Sequence, residues 1–120
     1  MIVCITSAGR DLESAVHPSF GRTPYFLFVD TETSTVDAVE NVPGAHGAGV
    51  QAAQTVAEHG AKAVITGSVG PNAFSGLNAA GIEIFVGAAG TGNDALAAYR
   101  SGTLESPHGP TGRAHQGGPR

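Results

Sequence analysis

Ala63-Val64-Ile65-Thr66-Gly67-Ser68-Val69-Gly70-Pro71-Asn72-Ala73-Phe74 decides the fold of this 120-residue chain. An apolar run ends in a glycine turn, and Pro71 follows where the first turn of a helix tolerates proline, since its missing N–H would have no helical partner there. The same order recurs where Ile82-Glu83-Ile84-Phe85-Val86 runs into Gly87-Ala88-Ala89-Gly90-Thr91-Gly92-Asn93. A further glycine turn, His46-Gly47-Ala48-Gly49, also opens onto a helical pattern. Strand, glycine turn and helix together aim backbone N–H groups and the positive end of a helix dipole at an anion. In open α/β sheets such turns gather at the carboxyl edge of the strands. The sequence therefore predicts one sheet edge suited to an anionic ligand.

Outward from these turns, Ile2–Thr6 reads as a buried strand, Tyr25–Asp30 as a second and Thr35–Val42 as a third. The polar Thr31-Glu32-Thr33-Ser34 makes a hairpin the simplest link between the last two. Between the first two lies a long loop, Ser7–Pro24, of a length that is usually functional or disordered. A helix is expected from Gly47 to His59, with Val50, Ala53 and Ala57 on one face and Gly60 ending it. Strand four is Ala63–Thr66; Phe74 and Leu77 mark the buried face of helix two, and Gly81 closes it. Strand five is Ile82–Val86, and Thr91 or Asn93 caps helix three, whose Leu96 and Tyr99 face the core before Gly102.

The order is βββαβαβα, an opening hairpin unit followed by right-handed parallel crossovers. The expected architecture is α/β: a five-stranded mixed sheet, strand two antiparallel, with helices on both faces. Residues 1–104 form one domain, and residues 105–120, rich in glycine and proline with His108 and His115, read as a flexible tail.

The formal net charge of −4 argues against a general nucleic-acid binder, which needs a basic face. Two of the six basic residues, Arg10 and Arg22, nevertheless share the first loop, a locally positive feature compatible with a small anion. Cys4 is the single cysteine, so a disulfide within the chain and a cysteine-rich metal site are both excluded. Met1-Ile2-Val3-Cys4-Ile5-Thr6 reads as a strand and not as a signal peptide or membrane span, so a cytoplasmic monomer is expected.

Known nucleotide motifs are absent. There is no Gly-x-x-x-x-Gly-Lys run, and Gly87–Gly92 has the wrong spacing for a dinucleotide fingerprint. Asp11, Asp30 and Asp94 are scattered, which disfavours metal-dependent hydrolysis, and no Ser-His-Asp spacing accompanies Ser7 or Ser68. Cys4, between Val3 and Ile5, reads as a buried structural thiol. His17 and His46 stand beside the glycine turns, where an imidazole can ligate a soft metal, donate to an anion or satisfy a loop carbonyl. His59 reads as a surface residue at a helix end.

Several stretches in order resemble the dinitrogenase iron–molybdenum cofactor biosynthesis family. They are Val16-His17-Pro18-Ser19-Phe20-Gly21-Arg22-Thr23-Pro24-Tyr25-Phe26, His46-Gly47-Ala48-Gly49, Gly67-Ser68-Val69-Gly70-Pro71-Asn72-Ala73-Phe74, Gly81-Ile82, and Gly90-Thr91 through Ala95-Leu96 to Gly102-Thr103-Leu104. The resemblance implies a ribonuclease-H-like fold and non-enzymatic binding of a preformed metal–sulfur cluster. It is strongest to the small stand-alone members that hold a molybdenum–copper sulfide cluster without covalent attachment; an iron–molybdenum type cluster is the alternative. Some carriers in that family place a histidine cluster ligand immediately before the Phe-Gly pair. Here Ser19 stands at that position and His17 lies two residues earlier, so the loop is expected to serve as a binding wall.

Such a cluster is a compact multianion that brings its own sulfide ligands. It needs N–H donors, helix N-termini, an arginine or two and apolar walls. The expected cluster-binding residues are Arg10, His17, Ser19, Phe20, Gly21, Arg22, His46, Gly47, Gly70, Asn72, Gly90 and Thr91, none of them catalytic. Cofactor-assembly proteins or a cytoplasmic ATPase are the expected partners, with no nucleic acid and no membrane. An adaptor module for such an ATPase assembly, its cleft vestigial, is the rival reading. A small enzyme acting on a phosphorylated metabolite is a weaker third.

Overall fold

A computed structural model describes residues 1–41 and 48–107. His46, Gly47, His108 and His115, together with Val42 at the expected end of strand three, lie outside the described residues. The elements run β1 (Ile2–Ser7), β2 (Tyr25–Asp30), β3 (Val36–Glu40), α1 (Ala48–Glu58), β4 (Ala61–Ile65), α2 (Pro71–Ala79), β5 (Glu83–Phe85) and α3 (Gly92–Ser101). The sheet order is β3-β2-β1-β4-β5. Strand β2 is antiparallel to both β1 and β3, whereas β4 is parallel to β1 and to β5. The mixed five-stranded sheet of the sequence reading is therefore present, with its single reversed strand.

Alternation along the strands divides the core into two layers. Cys4, Phe26, Phe28, Val64 and Ile84 pack with Ala52, Ala53 and Val56 of α1 and Ala73 and Leu77 of α2. Val3, Ile5, Leu27, Val29, Ala63 and Ile65 meet Ala95 and Leu96 of α3 on the other face. Because successive side chains of a strand point to opposite sides, β1 supplies both layers. The hairpin between β2 and β3 closes through Ser34, whose φ of 64° is left-handed. The Asp30 carboxylate accepts from the N–H groups of Glu32 and Thr33, which holds it below the usual carboxylate range.

One helix face differs from the sequence reading. Val50 is 53% exposed and Ala57 is exposed, while Ala52, Ala53 and Val56 are buried. In an alanine-rich helix, periodicity hardly fixes the inward face; close packing does. A β-carbon added at Gly76 of α2 would lie 3.0 Å from the Ala53 methyl, so Ala53 packs closely against α2. Phe74 is half-buried beside the fully buried Leu77. Strand β5 is shorter than expected, because Ile82 N–H bonds back to Leu77 and Val86 N–H donates to Glu105 O. Glu105 thereby pairs with the sheet. No helix is long and apolar enough to cross a membrane among the described residues.

Cys4 is fully buried, and desolvation pushes its thiol well above the ordinary value. The native thiol should resist alkylating reagents until the protein unfolds. Above about pH 8.5, the unfolded thiol loses a proton that the native one keeps, so stability should fall as pH rises further. Alkylation rates followed across a denaturant series test this; rapid modification without denaturant contradicts it.

Candidate functional site

The carboxyl ends of β1 and β4 are joined by the first loop, which is built by long-range bonds and not by local turns alone. Thr6, the penultimate residue of β1, is buried, with its Oγ1 2.8 Å from the His17 carbonyl and 2.9 Å from Thr66 Oγ1. The His17 N–H donates to the Thr6 carbonyl at 3.0 Å, so His17 is fixed to the strand end at both backbone groups. Buried Thr23 closes the far end of the loop: its Oγ1 accepts from Ser7 N–H at 3.0 Å and lies 2.9 Å from the Tyr25 carbonyl.

Between these anchors the chain crosses the turn after β4. Ser19 bridges to Ser68 in parallel sense, Phe20 N–H donates to the Ser68 carbonyl, and Ser68 Oγ donates to Pro18 O at 3.0 Å. A β-carbon at Gly67 would sit 2.7 Å from the Pro18 carbonyl oxygen, so only glycine lets the two backbones meet here. Phe20 drops into the core, fully buried, with its ring 5.6 Å from that of Phe26.

The crossing leaves a cleft of about 200 Å³ lined by Ser19, Gly21 and Arg22 from the loop and Gly70, Pro71, Asn72 and Ala73 from the start of α2. Gly70 is the N-cap of α2 and no side chain caps it, while Pro71 at the first turn has no N–H. Among the described residues no side-chain hydrogen bond caps the start of α2, so its dipole end faces the cleft. Arg22 is exposed and makes no ion pair or hydrogen bond among the described residues. A cation and a helix start thus converge on one small opening.

Five of the expected residues, Ser19, Gly21, Arg22, Gly70 and Asn72, come together there. Phe20 lies beneath them in the core. The His17 ring places Nδ1 3.1 Å from both the backbone nitrogen and the carbonyl oxygen of Ser19, and the tautomer decides which of the two it serves. Arg10 is held elsewhere, its guanidinium 5.0 Å above the ring of Tyr25. Gly90 and Thr91 belong to the opposite side of the loop: Val16 N–H donates to Gly90 O, and Ala15 bridges to Thr91.

The start of α3 is already occupied. Thr91 and Asp94 form a reciprocal capping box, and the N–H groups of Gly92 and Asn93 donate to Ser14 O and Leu12 O. Those donors serve the fold. Sequence reasoning left Pro71 and Ala73 out of the cleft although they adjoin residues it included. The Gly67–Pro18 approach has no local sequence signal at all. Among the described residues, no three of His, Cys, Asp and Glu gather as a metal-holding group.

A family model described as dinitrogenase iron–molybdenum cofactor matches residues 1–102. Among solved structures, the apo form of the orange protein from Desulfovibrio gigas is 37% identical and superposes with a TM-score of 0.88 over 92% of this chain and 95% of that one. A NifB-like Thermotoga protein of the DUF35 family is 40% identical, with a TM-score of 0.79 over 88% of this chain and 91% of its own. An uncharacterized protein from Methanocaldococcus jannaschii is 29% identical over 93 residues, 73% of this chain and 79% of that protein.

Proposed function

This chain belongs to the dinitrogenase iron–molybdenum cofactor family, and from that premise we propose that it binds and carries a preformed anionic metal–sulfur cluster in the cleft between its first loop and α2. The cargo is of molybdenum–copper sulfide type, with an iron–molybdenum type cluster as the alternative, held non-covalently in the cytoplasm by a carrier without enzymatic activity. Cofactor-assembly proteins are its partners in this reading.

One observation carries it: Arg22 and the start of α2, neither engaged by a side chain among the described residues, line the same opening. A cluster whose metals are saturated by sulfide asks the protein for charge, N–H groups and shape, and no cysteine is required. The size also favours it. At about 200 Å³ the cleft is smaller than the usual site of an organic cofactor, roughly 300–1,000 Å³, and matches a compact ion.

The test is reconstitution from tetrathiomolybdate and a copper salt, followed by its charge-transfer absorption. Arg22→Ala should weaken binding by about 2- to 30-fold, the equivalent of roughly 0.5–2 kcal/mol for a partly screened charge, and should flatten its salt dependence. Arg10→Ala should cost less, because Arg10 rests on Tyr25 outside the cleft lining. Salt-insensitive binding, or an equal loss at both positions, counts against the cleft.

A further inference from the structure

Ile82-Glu83-Ile84-Phe85-Val86 is a short run of high strand propensity with a single charge, and β5 within it is an edge of the sheet. Runs of this kind accept a further strand when their outer backbone groups are free. The ladder fixes which groups those are. The Phe85 carbonyl accepts from Thr66 N–H, so Glu83 and Phe85 turn their backbone groups to β4. By alternation, Ile82, Ile84 and Val86 turn theirs to the open side. The opposite edge, β3, carries two exposed carboxylates, Asp37 and Glu40, which oppose strand addition. On β5 Glu83 is the one charge.

Each outward position of β5 meets a group from elsewhere in the chain. Ile82 N–H donates to Leu77 O at 3.0 Å, and Val86 N–H donates to Glu105 O at 2.8 Å. Glu105 bridges Val86 in antiparallel sense, so the chain runs back along β5 and Pro107 falls opposite Ile84. Ser106 and Pro107 line a groove of about 270 Å³ with Phe74 of α2 and with Ile82 and Ile84. Proline has no N–H to add to a ladder, so the pairing stops there.

We propose that residues 105–107 are a guard strap, and that the edge beneath them is a latent pairing surface for a second copy of this chain. The run complements itself. In an antiparallel pair centred on Ile84, Ile82 of one copy meets Val86 of the other, and their outward groups are in ladder positions. Glu83 then falls opposite Phe85 of the second copy, so the two carboxylates do not face each other. With the strap seated, an arriving copy finds Val86 taken and Pro107 over Ile84, which leaves less than one ladder repeat to bind.

The test uses the full chain carrying Glu105→Gly and Ser106→Gly. Both positions are exposed, so no core residue is lost, and the added backbone freedom favours the open strap. In dilute solution the Val86 amide of this variant should exchange about 5- to 30-fold faster than in the native protein. As concentration rises, sedimentation equilibrium should show the variant associating, with the Ile84 and Val86 amides gaining protection together. The native protein should keep a protected Val86 amide and one mass throughout. Unchanged Val86 exchange in the variant overturns the strap. A variant that frees Val86 yet keeps one mass overturns the pairing surface, and so does association that leaves Ile84 and Val86 unprotected.

Discussion

Phe20→Ala should lower stability by about 3–5 kcal/mol, the usual cost of emptying a phenylalanine site in a packed core. At roughly 4–8 °C per kcal/mol for a domain near this size, melting should fall by more than ten degrees. Phe20 is fully buried and packs on Phe26, yet it sits in a loop between two residues that line the cleft. The ring is thus an anchor that turns core packing into loop geometry: Ser19 and Gly21 hold their places because the side chain between them is below the surface. The truncation should therefore also weaken anion binding when measured at a temperature where the variant is still folded. Val29→Ala provides the comparison, because Val29 is equally buried but lies at the other end of β2. It should lose stability and keep its affinity. If Phe20→Ala binds as the native protein does, the loop is held by something other than this ring.

Much of this arrangement was legible because local chemistry and global fold agree. Pro71 after a glycine turn marks the start of α2, and Gly60 and Gly102 take the left-handed φ values of 77° and 75° beyond the ends of α1 and α3. Thr91 with Asp94 three residues later forms a cap readable from sequence. The same turn also shows where such reading misleads. Gly87–Asn93 has the pattern of an anion site, but its helix N–H groups are taken by Leu12, Ser14 and Thr91, residues that no local pattern brings together. Likewise Arg10 and Arg22 look alike in sequence, and only the ring of Tyr25 separates them. The loop seemed irregular because its partners are distant: Ser19 pairs with Ser68 and His17 with Thr6. The buried face of α1 was obscured for another reason, since alanines on several faces carry too little hydrophobic contrast to orient a helix.

Gly67 and Gly70 make the sharpest contrast that a single methyl group can provide. Both lie in the turn between β4 and α2, and sequence alone treats them as equivalent glycines. At Gly67 an added β-carbon would fall 2.7 Å from the carbonyl oxygen and 2.8 Å from the Cα of Pro18. Those are backbone atoms, so no change of rotamer relieves the overlap; the loop must withdraw. Overpacking of this kind costs roughly 1–3 kcal/mol. At Gly70 nothing among the described residues beyond its own chain neighbours lies within 4 Å of the added carbon, and its φ of −81° suits any L-residue. Exchanging glycine for alanine at an N-cap costs only about 1 kcal/mol or less. Gly67→Ala should accordingly break the Ser19–Ser68 bridge, separate the two walls of the cleft and reduce anion affinity by at least tenfold even where the protein remains folded. Gly70→Ala should melt within a few degrees of the native protein, by the same conversion of free energy to temperature, and retain most of its affinity. Amide exchange at Phe20 reads the docking directly, because its N–H donates to Ser68 across this contact. A Gly67→Ala protein with native melting, native affinity and a protected Phe20 amide would mean that the loop does not need the close approach of these backbones, and the cleft would have to be held open in another way.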